Sequence, residues 1–269
     1  MHEFLIKLKR KFTPIKISEH LIKETLNYFT PHITEHELKR FGNASDGGYL
    51  IPTDYDGVDQ CISLGCGGDS SFEDAFGSQI DQNFSIFDDP INFPNDYETS
   101  RHSFHPGWIG AFLRPRSSEI PIFSLPAAIG HVATSKFSDG LLKIDIESSE
   151  YTSLLTVDEE ILKRFRIIVM EFHRVNEIVA SSIFCLTLGE AMRKLLDNHM
   201  VVHFHANNAV KTFTIEKQSF PSCIEVTLLR RDRIRTSRAV VGKYTHPLDS
   251  RNSEFKNSIE VSFPIGRHS

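Results

Sequence analysis

Short apolar runs alternate with helical patterns along most of the chain, which predicts a parallel sheet with crossover helices. The apolar runs at 61–64, 84–87, 141–146 and 166–172 read as buried strands. A further strand is expected at 121–125, and strands at 200–205 and 223–230 complete the set. A polar stretch, not a crossover helix, separates these last two, so they are expected as an antiparallel pair at the sheet edge. Helical spacing marks 72–80, 151–162 and 184–198. Near the N-terminus, Ser18 can cap a helix over 19–29 that Pro31 stops. Asp46-Gly47-Gly48 is a turn signal leading into a short strand at 49–51, closed by Pro52. Residues 90–120 are rich in Pro, His, Asn and Ser and fit no element; loops of that length are usually functional or mobile. The chain therefore divides into an N-terminal helical segment (1–37), a catalytic-type α/β domain (38–242) and a polar, poorly anchored tail (243–269).

Composition narrows the class. The 269 residues, 40% hydrophobic and 24% charged, suit one large α/β domain, and the 21 Phe read as core filling. A net charge of −5 argues against a nucleic-acid partner. Arg230, Arg231, Arg233, Arg235 and Arg238 form the one local basic cluster, read as a solvated strand edge. The four cysteines lack any CxxC pair, so neither a zinc motif nor a disulfide framework is expected, and a reducing cytoplasm is the expected location. No apolar stretch reaches membrane-spanning length. The sequence leaves the oligomeric state open.

Candidate chemistry collects at predicted strand ends, where open α/β sheets bind ligands. The first strand runs into Gly65-Cys66-Gly67-Gly68, glycines suited to a sharp turn or to close backbone approach by a ligand. A plain tight turn would look the same. Asp88 follows by about twenty residues, the interval at which a carboxylate accepts ribose hydroxyls, with Asp89 as an alternative. The fourth strand delivers Lys143, Asp145 and Glu147 on one face, then Glu150 at a helix start. Glu150 is equally explained as a charge complementing the helix dipole. The next strand ends in Glu171 and His173, and an imidazole there can act as general base. Strand 200–205 ends in His203 and His205, followed by Asn207 and Asn208, which also make a good turn. His205 is the site candidate and His203 a core or supporting residue.

Together, the glycine turn, Asp88, the run from Leu142 to Glu150 and the Glu171-x-His173 strand end resemble the FkbM-type methyltransferases over residues 38–230. Arg40-x-Gly42 with Asp46-Gly47-Gly48-Tyr49, and His205-x-Asn207-Asn208, resemble a subgroup of surface-polysaccharide gene clusters. The resemblance implies a Rossmann-like methyltransferase fold: a mostly parallel seven-stranded sheet with an antiparallel last strand and helices on both faces. It also implies S-adenosylmethionine as cofactor and O-methylation of a sugar, as a nucleotide-activated or polysaccharide-precursor substrate, for polysaccharide or capsule biosynthesis. Gly65, Gly67 and Gly68 would approach the methionine part and Asp88 the ribose, while Asp145, Glu171, His173 and His205 would face the acceptor. Tyr49, Asn207, Asn208, Arg114 and Arg116 are candidate substrate contacts. This chain departs from the family at Ser148, where glycine is usual, and at Ser63, where many methyltransferases carry an acid. Asp46 or Asp145 then becomes the candidate anchor for the methionine amino group.

The mechanism expected is alignment of an acceptor oxygen behind the methyl group, with His173 as base and Asp145 or Glu171 orienting it. A divalent metal on Asp145, Glu171 and His173 or His205 is the second version, set below the first because no dedicated metal motif is present. An NAD(P)-dependent oxidoreductase and a non-catalytic carbohydrate-binding or scaffold protein on the same fold are the rival classes.

Overall fold

A computed structural model describes residues 18–110, 120–133 and 137–266. Its centre is a seven-stranded sheet: β1 (Gln60–Leu64), β2 (Phe84–Asp88), β3 (Ser103–Pro106), β4 (Gly140–Ile144), β5 (Phe165–Phe172), β6 (His199–Ala206) and β7 (Ile224–Arg230). The spatial order is β3-β2-β1-β4-β5-β7-β6. Strands β1 to β5 pair in parallel. β7 runs antiparallel to both of its neighbours, β5 and β6. The expected antiparallel pair is therefore present, but β7 lies inside the sheet and only β6 forms the edge. A small hairpin, Thr212–Ile215 with Gln218–Pro221, fills the polar connection between them.

Strand alternation sorts the core. Ile62, Leu64, Leu142, Ile144, Ile168, Met170, Phe204 and Leu228 face one layer. That layer contains α1 (Glu19–Asn27), α3 (Leu125–Val132), α4 (Glu150–Thr156), α5 (Val175–Val179) and α6 (Ser182–Asn198). Cys61, Leu141, Ile167, Val169 and Leu229 face the opposite layer, built from α2 (Ser71–Ile80) and the hairpin Leu38–Gly42/Gly48–Pro52. Among the described residues, ten of the twelve largest fully buried side chains are Phe, so Phe fills much of the core. Each such burial contributes roughly 1.5–3 kcal/mol.

Helix α1 starts where expected, with Ser18 Oγ accepting from the Leu21 amide at 3.1 Å. Two expectations need correction. The strand expected at 121–125 is only the pair Ile122–Phe123, because Ser124 caps α3 at that point. The third sheet strand is instead β3, inside the region that fitted no element. It is a half-exposed edge strand with one neighbour, so Ser103 and His105 carry no apolar alternation to betray it. The tail, in turn, is well anchored. Gly242–Tyr244 pairs with Val261–Phe263, and Phe263 meets Phe204 edge-on at 5.1 Å. Within the basic cluster, Arg230 pairs with Asp139 and Arg233 with Asp54, so these two arginines tie loops to the sheet. No helix among the described residues is long and apolar enough to cross a membrane.

Candidate functional site

The sheet face under the hairpin changes character along its length. At the N-terminal ends of the parallel strands it is apolar; toward their C-terminal ends it carries Ser63, Lys143 and Glu171, with Glu225 beside them at the start of antiparallel β7 and Asp145 and His173 just beyond β4 and β5. Beside this polar end lies a cleft of about 400 Å³, lined among others by Gly65, Gly67, Asp88, Asp89, Trp108, Asp145 and Glu147. A larger hollow of about 610 Å³ runs along the His32–Leu38 and Arg238–Pro247 segments, away from these acids. Convergent polar groups mark the first as the candidate site.

Backbone contact fixes the glycine turn. Gly65 has φ +89°, and a Cβ there would stand 1.8 Å from the Asp145 carbonyl oxygen. The Gly65 amide donates to Phe87 O, and the Asp145 amide to Leu64 O, each at 2.8 Å. Gly67 has φ +57° with open space where its side chain would be. Beneath the turn, Lys143 Nζ donates to Gly65 O at 2.8 Å and pairs with Glu73 at 3.2 Å. Ser63 donates to the same Glu73 oxygen at 2.5 Å. Ser63 thus supports the turn from below.

Asp88 holds the turn from the side. Its Oδ2 accepts from the amides of Cys66 (2.8 Å) and Gly67 (2.9 Å), and its Oδ1 from the Asp89 amide and Asn92 Nδ2. Burial would raise its pKa, but these bonds outweigh burial and hold it below the usual carboxylate range. Asp89 accepts from Trp108 Nε1 at 3.0 Å, which places the indole against the cleft.

The second group centres on His173. Its Nδ1 lies 3.0 Å from Glu150 Oε1, and its Nε2 lies 3.7–3.9 Å from Glu147, Glu171 and Asp145. Glu150 is fully buried, and its Oε1 also accepts from the Ile146 and Ser148 amides. It therefore orients the imidazole and closes the loop, beyond complementing a helix dipole. Burial opposes charge on His173, but the Glu150 bond and the surrounding carboxylates raise it to about 9. Burial, then the Asp145 and Glu225 charges, push Glu171 up to about 8. Burial also raises Asp145, whose Oδ2 accepts from Tyr49 OH at 3.4 Å. The carboxylates around His173 favour its charged form, which weighs against a role as general base.

Ser148, standing where glycine is usual in the resembled family, keeps a glycine-like backbone with φ +84°. A side chain held at that φ leaves backbone strain in the loop.

Register carries the polar row outward. Glu171 pairs with Glu225, and Glu225 with His205. His205 thus lies two strands from Glu171, about 10 Å at sheet spacing. Its Nε2 meets Asn252 Oδ1 at 2.9 Å and its Nδ1 meets Asp249 at 3.5 Å, so the tail covers it. His203 meets the same Asp249 oxygen at 2.9 Å. Asn252 also donates to Glu225 and to Asp46, which is exposed and is not among the residues lining the cleft. Asn208 holds the tail through Ser253 and Lys256, while Asn207 donates to Glu171 at 3.1 Å. Asn207 is thus joined to the acid group, and Asn208 is not. Arg114 and Arg116 lie outside the described residues.

Two site residues escaped the sequence reading. Glu225 and Cys223 enter because β7 is inserted beside β5; Cys223 Sγ donates to Glu171 Oε1 at 2.7 Å. The available signal was a glutamate in an otherwise apolar strand.

No family model matches the chain, and no curated protein matches it. Among solved structures, the methyltransferase CalO6 is similar at 9% identity and a TM-score of 0.32, over 65% of this chain and 58% of that one. The chain thus spans less than two thirds of that structure's length, and a likeness of this grade carries no weight for fold or function.

Proposed function

We propose that the chain is an S-adenosylmethionine-dependent O-methyltransferase. The observation that carries this reading is the cleft itself: an open glycine turn faced by Asp88, Asp89, Asp145 and Glu147. A donor bearing a sulfonium and an ammonium group suits a cleft rich in carboxylates, and Trp108 with the neighbouring Phe87, Ile109 and Ile146 offers apolar surface to a purine. The volume falls within the ordinary range for small-ligand sites, about 300–1,000 Å³. The antiparallel β7 agrees with what the family resemblance implies for the sheet. The glycine spacing, 65, 67 and 68, speaks against a dinucleotide turn.

The methyl group of a sulfonium is already activated, so the chain's own residues need to align an acceptor hydroxyl and accept its proton. Asp145 is the acceptor of that proton in this reading: it lines the cleft and its carboxyl is raised above the usual range by burial. His173, fixed by Glu150, stands 3.9 Å from Asp145 and orients it. A sugar hydroxyl as acceptor, on a nucleotide-activated or polysaccharide-precursor sugar, rests on the resemblance carried by Leu142–Glu150 and Glu171–His173. A methyl-transfer screen against nucleotide-sugars, following S-adenosylhomocysteine release, tests the acceptor. Asp145→Asn is expected to lower turnover by about 10²-fold or more. Turnover within a factor of two of wild type removes Asp145 from the role.

A further inference from the structure

Cys223, Glu171 and His173 each present one ligand atom, and these atoms lie within 4.8 Å of one another. Two strand ends bring them together: the loop entering β7 supplies Cys223, and the end of β5 supplies Glu171 and, just beyond the strand, His173. Cys223 and Glu171 are buried, and His173 is partly buried. The Cys223 thiol stands 2.7 Å from Glu171 Oε1, and His173 Nε2 stands 3.8 Å from the same oxygen. Tetrahedral coordination with bonds of about 2.0–2.3 Å puts ligand atoms roughly 3.3–3.5 Å apart, so side-chain shifts of under about 1 Å would complete the geometry.

The surroundings match a metal centre in two further respects. His173 turns Nδ1 to a fully buried carboxylate, Glu150, which leaves Nε2 facing the cluster; metal-bound imidazoles are oriented in this way. Asn207 holds Glu171 in place at 3.1 Å.

We propose that Cys223, Glu171 and His173 form a three-ligand site for a divalent ion of the zinc class, with its fourth position on the side of Asp145. A thiolate, an imidazole and a carboxylate together select zinc over magnesium or calcium, and three protein ligands leave one position open. Asp145 Oδ1, 3.9 Å from His173 Nε2, is the adjoining carboxylate on the cleft side. Binding stands independently of methyl transfer; only the ion's use toward an acceptor oxygen rests on that reading.

The test uses the full chain, stripped by a chelator and titrated with Co²⁺ without any methyl donor. One equivalent should bind with thiolate-to-cobalt charge-transfer absorption, and Zn²⁺ should displace it. Cys223→Ser should abolish that absorption, and His173→Ala should weaken binding at least tenfold. Cys185→Ser, on α6 against Thr25, should leave both unchanged. Absence of stoichiometric binding to the wild-type chain overturns the proposal, whatever the variants do. So does charge-transfer absorption that persists in Cys223→Ser. Donor binding, measured separately by calorimetry, fails or succeeds independently of these outcomes.

Discussion

Replacing Asp249 by Asn tests how the C-terminal tail is fastened over the edge of the sheet. Asp249 meets His203 at 2.9 Å and His205 at 3.5 Å, and both histidines project from β6. Burial keeps His203 neutral in spite of its partner, with its pKa below the ordinary value. His205 differs: burial opposes its charge, but Asp249 and Glu225 raise it to about 9. Asp249 lies below the usual carboxylate range because its histidine partners outweigh burial. Moving His205 from an unfolded value near 6.5 to about 9 corresponds to about 3 kcal/mol of stability. A raised folded pKa stabilises fully below the unfolded value, so this contribution is complete below about pH 6.5 and is lost as pH rises through 9. The depressed Asp249 contributes above about pH 4, and its share is lost in acid. Urea denaturation of wild type and Asp249→Asn at several pH values isolates the effect, because other titrating groups are common to both. A gap of about 2 kcal/mol is expected near pH 6, narrowing to less than about 1 kcal/mol at pH 9.5. A gap that stays constant across that range would refute the ionic account of the tail.

Three further substitutions probe the site. Gly65→Ala should cost at least about 3 kcal/mol in chemical denaturation, since its Cβ meets the Asp145 carbonyl at 1.8 Å and its φ is positive; a loss below about 1 kcal/mol contradicts the packed turn. Ser148→Gly should raise stability by about 1 kcal/mol by relieving its φ of +84°, provided that its amide keeps the bond to Glu150; no gain means that the strain is relaxed in solution. Asp88→Asn replaces one acceptor oxygen with a donor facing amide hydrogens. It should destabilise by about 1–3 kcal/mol and speed amide exchange at Cys66 and Gly67, and unchanged exchange there argues against the clamp.

Much of the fold was legible because buried parallel strands are written as apolar runs. The runs expected at 61–64, 84–87, 141–146 and 166–172 all match sheet strands within a residue or two of their limits. The missed strand, β3, has only β2 beside it, so its sequence needs no apolar alternation. At the site, Asp145, Glu171 and His173 were visible as polar residues closing apolar strands. Their partners were not. Cys223 and Glu225 join them only through the insertion of β7 beside β5, a pairing that spans more than fifty positions of chain. The tail was misread for a similar reason: its polar residues look solvated in sequence, but His203, His205 and Asn208 receive them on the sheet. The partner of His173 is hidden in the same way, since Glu150 has an adequate alternative explanation in sequence.

The central claim is that the cleft between the glycine turn and Asp145 binds a cationic methyl donor. Isothermal titration of the full chain with S-adenosylmethionine, S-adenosylhomocysteine, NAD and NADP tests it most directly. The account predicts one equivalent of S-adenosylmethionine bound, at least tenfold weaker binding in Asp88→Asn, and no binding of either dinucleotide. Stoichiometric NAD or NADP binding, or no S-adenosylmethionine binding by the folded chain, would contradict it.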